Sequence, residues 1–297
     1  MPDLLKQLSN DMAATVEAAS SAIVRVDGRK RMSASGVVWS AGVIVTAHHV
    51  VTRDDHLTLG LPDGSEAAAT LAGRDPSTDL AVLRTEAAGL SVPTWAEPET
   101  LKVGQLVLAL GRPGRTVQAT LGVISAVGGE WRTGAGGAVD RYVQTDVVMY
   151  PGFSGGPLVG AGGTILGLNS SALASGVSVT LPTSTIRSVV DAILAHGHVK
   201  RGYLGVGSQP VRLPDALAKE LDQETALMLV MVEPDTPAAQ GGLLMGDVIV
   251  ALDGQRVRHV DDLQALLTGS RVGKAVPVRI VRGGQFHDLS VVIGERG

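Results

Sequence analysis

The sequence predicts a mainly β protein, two antiparallel barrels followed by one small further domain, and three observations predict it. Short runs rich in Val and Ile recur between Gly, Asp and Pro, a spacing that reads as barrel strands. Longer helical periods are confined to residues 5–19, 185–196 and 260–267. With 297 residues and 44% apolar content, the chain can fill two or three compact cores.

Leu5, Leu8, Met12, Val16 and Ala19 fall at helical spacing, so residues 1–20 are predicted to form a helix whose apolar face packs on the first barrel. From Ala22 the period changes. Runs at 22–26, 36–39, 43–46, 57–61, 81–84 and 106–110 are assigned to barrel one. Runs at 117–127, 142–145, 157–159, 164–169 and 177–182 are assigned to barrel two, with the glycine-rich stretch 134–137 read as a mobile loop. Ile186, Val189, Val190, Ile193 and Leu194 mark a helix that stops at Gly197, and residues 196–201 read as a linker. In the last segment, Pro237-Ala238-Ala239 opens a short helix, 246–254 is a strand with its turn, and 260–267 is an amphipathic helix. Strands at 276–281 and 289–293 then turn at Gly283-Gly284.

The net charge is −4 with basic residues thinly spread, which leaves no electrostatic footprint for a nucleic acid. There is no cysteine, so a disulfide framework and a thiolate metal site are both excluded. His196 and His198 form an H-x-H pair without acidic neighbours and read as solvated linker residues; no metal and no cofactor is expected. Residues 1–10 mix leucines with Asp3, Lys6 and Gln7, unlike a secretory leader, and no apolar run reaches the roughly 18 residues of a membrane-spanning helix. These features predict a cytoplasmic protein, or a periplasmic or secreted one where a leader has been trimmed away.

Three segments carry chemistry. Gly152-Phe153-Ser154-Gly155-Gly156-Pro157-Leu158 sets a serine among glycines that let backbone N–H groups converge beside its hydroxyl. Val45-Thr46-Ala47-His48-His49-Val50 ends an apolar strand with two histidines, which alternation along a strand would point in opposite directions. Asp75-Pro76-Ser77-Thr78-Asp79-Leu80 places carboxylates at the mouth of another strand. A serine is a poor nucleophile until an imidazole takes its proton, and that imidazole must be held in one tautomer by a carboxylate.

On these residues, together with Gln144-Thr145-Asp146, Leu110-Gly111-Arg112-Pro113 and Arg201-Gly202-Tyr203-Leu204-Gly205-Val206, the chain resembles the HtrA/Deg serine proteases over nearly its whole length. The resemblance implies a chymotrypsin-like double six-stranded β-barrel over 21–197 and a PDZ domain over 201–297. It also implies His49 as base, Asp79 as the orienting acid, Ser154 as nucleophile, and an oxyanion hole made by the N–H groups of Gly152 and Ser154. A specificity pocket lined by Val148, Met149 and Leu181 follows from the same resemblance; it holds no fixed charge, so an aliphatic P1 side chain is favoured.

Tyr203, Leu204, Gly205 and Val206 resemble the PDZ loop that grips a peptide's C-terminal carboxylate, the peptide adding as a strand with its last side chain against the helix at 260–267. The implied function is ATP-independent cleavage of unfolded or misfolded proteins in protein quality control, with protein C-termini as partners. A catalytically silent PDZ scaffold and a holdase chaperone are the alternatives. The family also implies a homo-oligomer, a trimer built on N-terminal aromatic residues, yet this chain has no aromatic residue before Trp39. Phe153 departs from the family's usual asparagine. On the expectation that a phenylalanine there must seek apolar cover while asparagine bonds its own loop, Phe153→Asn is predicted to raise basal turnover.

Overall fold

The computed structural model describes residues 2–96, 101–174 and 176–295, so Met1 and Gly297, the outermost residues of the predicted segments, lie outside the described residues. The chain divides into two compact units, Met1–Val199 and Lys200–Gly297.

The first unit holds two closed six-stranded barrels. In barrel one the order is Ile23–Asp27, Ala34–Ser40, Val43–Ala47, Leu80–Arg84, Glu66–Asp75 and Leu57–Gly60, which closes back on the first strand through Arg25 opposite Gly60. In barrel two it is Val143–Thr145, Ser178–Pro182, Ile165–Ser170, Pro157–Gly160, Leu106–Gly111 and Gln118–Val127. Two expectations need correcting. The run at 106–110 belongs to barrel two, where Leu108 pairs with both Val159 and Leu121. The sixth strand of barrel one is Glu66–Asp75, whose Glu-Ala-Ala-Ala-Thr composition carries little intrinsic strand preference. It is held as a strand by ladders on both sides, to Leu57–Gly60 and to Leu80–Arg84.

A shared core joins the barrels, with Ile23, Val45, Leu80 and Val82 from one packed against Leu108, Leu110, Leu168 and Leu181 from the other. The helix Thr183–His196 seals this core with Ile186, Val189, Val190 and Ile193. The amino-terminal helix, Pro2–Ser20, forms as predicted but does not lie along the barrel. Its last turns engage the shared core through Val16 and Ala19, while Leu4 is 70% exposed and Leu5 69%. Arg112 fastens that end: its buried guanidinium donates to the carbonyls of Ser20, Ile23 and Arg115, and desolvation pulls it below the ordinary arginine value. The glycine-rich loop is also anchored. Between the short strands Trp131–Arg132 and Ala138–Val139, Thr133 Oγ1 donates to Ser77 O at 2.5 Å.

The second unit is built on an antiparallel sheet in the order Val206–Arg212, Thr225–Val232, Val248–Leu252, Ala275–Arg282 and Gln285–Val292. Helices Asp215–Leu221, Pro237–Gln240 and Val260–Leu266 accompany it. Its core gathers Leu204, Leu227, Ile249, Leu263, Val278 and Ile293. Val206–Arg212 stands at the sheet edge, so one side of its backbone is open to a further strand. Gly202–Tyr203 pairs with Gly294–Glu295, which brings the two ends of the unit together.

Candidate active site

Barrel one supplies an imidazole and a carboxylate. The strand Val43–Ala47 ends before the histidines, and His48–Val50 is a single 3-10 turn, so strand alternation does not decide between them. The contacts do. His49 Nδ1 lies 2.8 Å from Asp79 Oδ2, and the His49 backbone N–H donates to Asp79 Oδ1 at 2.9 Å. His48 meets Asp79 only through its backbone, donating its N–H to the carbonyl at 2.9 Å. Among the described residues its buried ring Nδ1 has no hydrogen-bond partner, and burial, then the nearby Arg74 guanidinium, lowers its affinity for a proton.

Asp79 has a positive φ of 57°, a conformation that aspartate tolerates better than most residues. Its buried carboxylate is satisfied by the His49 ring, the His49 N–H and the hydroxyl of Ser170. The rival acid, Asp75, caps its own turn, accepting from Ser77 N–H, Ser77 Oγ and Thr78 Oγ1. With a carboxylate at Nδ1, the neutral imidazole of His49 carries its proton there and presents Nε2 as the acceptor.

Barrel two supplies the serine, on the turn that leads into the strand Pro157–Gly160. Gly152 has φ +91°, and a Cβ there would meet Pro113 Cβ at 2.5 Å, so glycine is required. The segment is fixed from both barrels. Ser35 donates its N–H to Ser154 O at 3.2 Å and its hydroxyl to Gly152 O at 2.7 Å, while Arg112 N–H donates to Ser35 Oγ. Phe153 N–H is spent on Tyr150 O, and Gly155 N–H on Asn169 O. Among the described residues, the N–H groups of Gly152 and Ser154 donate to no acceptor, so the two donors expected to face an oxyanion are unspent.

Phe153 finds complete apolar cover. It is 0% exposed, packed among Leu101, Val107, Ile124, Val147 and Leu158, with its ring edge-on to Tyr150 at 5.8 Å. This removes the premise behind the expected gain from Phe153→Asn, because the ring already has its cover and anchors the turn. Ser154 Oγ is engaged by Ser171, whose Oγ lies at 3.0 Å and whose N–H lies at 3.3 Å. Among the described residues no hydrogen bond joins Ser154 to His49.

The predicted pocket residues separate. Val148 is 55% exposed and Met149 half-buried against the Phe153 cluster. Leu181 is corrected: it is 0% exposed, paired with Leu168 inside the shared core, and has no surface to offer a substrate. Val177, at the mouth of the same strand, is exposed. In the second unit, Gly205 has φ +79° and lies so close to Thr236 that a Cβ would clash at 2.4 Å. Among the described residues the N–H groups of Leu204 and Gly205 donate to no acceptor, and Leu204 and Val206 pack with Val260, Leu263 and Leu267. Tyr203 directs its hydroxyl to the Glu233 carboxylate.

Ser35, Ser170 and Ser171 escaped the sequence reading, which quoted Arg112 only within a landmark segment and gave it no role. An isolated serine or arginine beside a strand carries no spacing signal; only the fold brings these to the site.

Comparison with known proteins places this geometry. Residues 34–168 match the trypsin-like peptidase domain, and residues 202–293 match the PDZ domain. A protein of Halomonas elongata described as a periplasmic, DegP-like serine endoprotease is 35% identical over 273 residues, 90% of this chain and 57% of the relative. One from Pseudomonas putida strain GB-1 with the same description is 36% identical over 264 residues, 87% of this chain and 55% of the relative. The chain thus spans about half the length of these curated relatives. Among solved structures, the HtrA-type protease AlgW with a decapeptide superposes with a TM-score of 0.80 at 30% identity, covering 96% of this chain and 98% of that one. The serine endoprotease from Yersinia pestis gives 0.78 at 30% identity, over 95% and 97%. The periplasmic description of the relatives overturns the cytoplasmic expectation, which rested on amino-terminal composition. Among the described residues no helix is long and apolar enough to cross a membrane.

Proposed function

This chain belongs to the HtrA/Deg family of serine proteases, and from that premise we propose that it is a serine endopeptidase in which His49, Asp79 and Ser154 form the catalytic triad. Ser154 Oγ attacks the peptide carbonyl carbon as its proton passes to His49 Nε2. Asp79 holds the Nδ1–H and stabilises the imidazolium that results. Gly152 and Ser154 N–H groups receive the charge that develops on the carbonyl oxygen. His49 then returns the proton to the departing amine, and water, activated by the same imidazole, releases the acyl group. The observation that carries this reading is the His49–Asp79 pair at 2.8 Å opposite a serine turn with two unspent N–H groups.

The substrates are unfolded or misfolded polypeptides. Exposed Val148 and Val177, with half-buried Met149, favour an aliphatic P1 residue, because a charge buried among them would go unpaired. The segment 201–297 captures protein C-termini: the carboxylate meets the N–H groups of Leu204 and Gly205 in the loop Tyr203 to Val206, and the peptide adds to the edge strand Val206–Arg212.

A second reading, a silent scaffold or holdase, is favoured by one observation, the engagement of Ser154 by Ser171 in place of His49. Fluorophosphonate labelling and digestion of unfolded casein by the wild type and by Ser154→Ala decide between them. The peptidase reading expects labelling at Ser154 and a loss on the order of 10⁶ in turnover in the variant. Absence of labelling in folded wild-type protein refutes it.

A further inference from the structure

We propose that Ser171 is a positioning residue that holds the nucleophile away from its base at rest, an inference that rests on the triad reading above. The base is already set. His49 receives its orientation twice from Asp79, at Nδ1 and at its backbone N–H, and Asp79 is closed off by Ser170. The nucleophile is not. Ser154 Oγ accepts the N–H of Ser171 at 3.3 Å and shares a hydrogen bond with the Ser171 hydroxyl at 3.0 Å. The two hydroxyls share this hydrogen bond, and whenever Ser154 is its donor the Ser154 proton points to Ser171 Oγ and is unavailable to Nε2.

The placement explains why the latch is reversible. Ser170 is the last residue of the strand Ile165–Ser170 and is buried, so its hydroxyl is committed to the acid. Ser171 is the first residue past the strand and is exposed. Water can replace Ser154 as the partner of the Ser171 hydroxyl at little cost, whereas Ser154 itself is buried. Two adjacent serines thus divide the work, one fixing the acid and the other detaining the nucleophile.

Removing the hydroxyl leaves the longer N–H contact, so the gain is bounded by the net value of one hydrogen bond, a ratio of roughly two- to tenfold in rate. The test measures fluorophosphonate labelling rates, kcat and KM on a chromogenic peptide, and thermal midpoints for wild type, Ser171→Ala and Ser171→Thr. The expected result is faster labelling and a higher kcat for Ser171→Ala at unchanged KM and unchanged midpoint, with Ser171→Thr, which returns the hydroxyl, brought back toward the wild-type rate. Labelling of Ser171→Ala at or below the wild-type rate overturns the proposal, as does a gain that the threonine variant retains. If the wild type is not labelled at Ser154 at all, the triad reading fails and takes this one with it; a labelled wild type with no gain in Ser171→Ala refutes the latch alone.

Discussion

Replacing Phe153 by asparagine should cost both stability and activity. The ring is fully buried, touching Leu101, Val107, Ile124, Val147 and Leu158, and it lies against the backbone of Gly111. Truncating a buried phenylalanine costs about 3–5 kcal/mol in lost burial and residual cavity. An asparagine amide in that apolar cluster adds an unpaired polar group, roughly 1–3 kcal/mol more where the site cannot admit water. A net loss near the lower end, about 4 kcal/mol, lowers the thermal midpoint of a unit of this size by about 8–16 °C. The turn loses its anchor at the same time. Phe153 sits between the two proposed oxyanion donors, and loss of either donor costs about 10² to 10³ in rate. The assay is calorimetry in a Ser154→Ala background, which prevents self-digestion, paired with peptide hydrolysis well below the variant's midpoint. Phe153→Leu, which keeps most of the apolar fill, should retain the turn at a cost of about 1–2 kcal/mol. If Phe153→Asn melts within a few degrees of its parent and hydrolyses peptide faster, the ring does not hold this loop and the packing account is wrong.

Burial lowers the proton affinity of His48 in the folded state below that in the unfolded chain. Its contribution to stability is therefore full above the ordinary imidazole value and is lost as pH falls from there through the lowered folded value, because the unfolded state binds the extra proton over that window. Urea midpoints between pH 7.5 and 5.5 should fall less steeply in His48→Asn than in the wild type; equal slopes would refute this. Gly205→Ala should abolish binding of a fluorescent apolar C-terminal peptide, since the new Cβ would strike Thr236 at a φ of +79°. An anisotropy titration that matches the wild type would remove the loop from carboxylate recognition.

The sequence by itself determined the mainly β class, the two barrels with their small companion domain, and the proposed order of base, acid and nucleophile. These are legible because each rests on local spacing: a period of two between turn residues, glycines around Ser154, and histidines and aspartates at strand ends. Strand membership was not legible. The run at 106–110 looks alike in either barrel, and only its partners at Val159 and Leu121 decide. The strand Glu66–Asp75 carries no strand composition and is imposed by neighbours on both sides.

The amino-terminal helix was readable as a helix, yet its period could not say that Val16 and Ala19 would find a surface while Leu4 and Leu5 stayed exposed. Within the site, the sequence set Phe153 beside the nucleophile without revealing its apolar cover, and it placed Leu181 near a pocket that its burial denies. The link from Ser35 to Gly152 spans 117 positions, and the contact from Ser171 to Ser154 spans 17. The second joins the ends of paired strands within barrel two, whereas the first crosses between the barrels and depends on where they meet. That meeting is fixed by the packing of both cores at once, so no local stretch of residues can encode it.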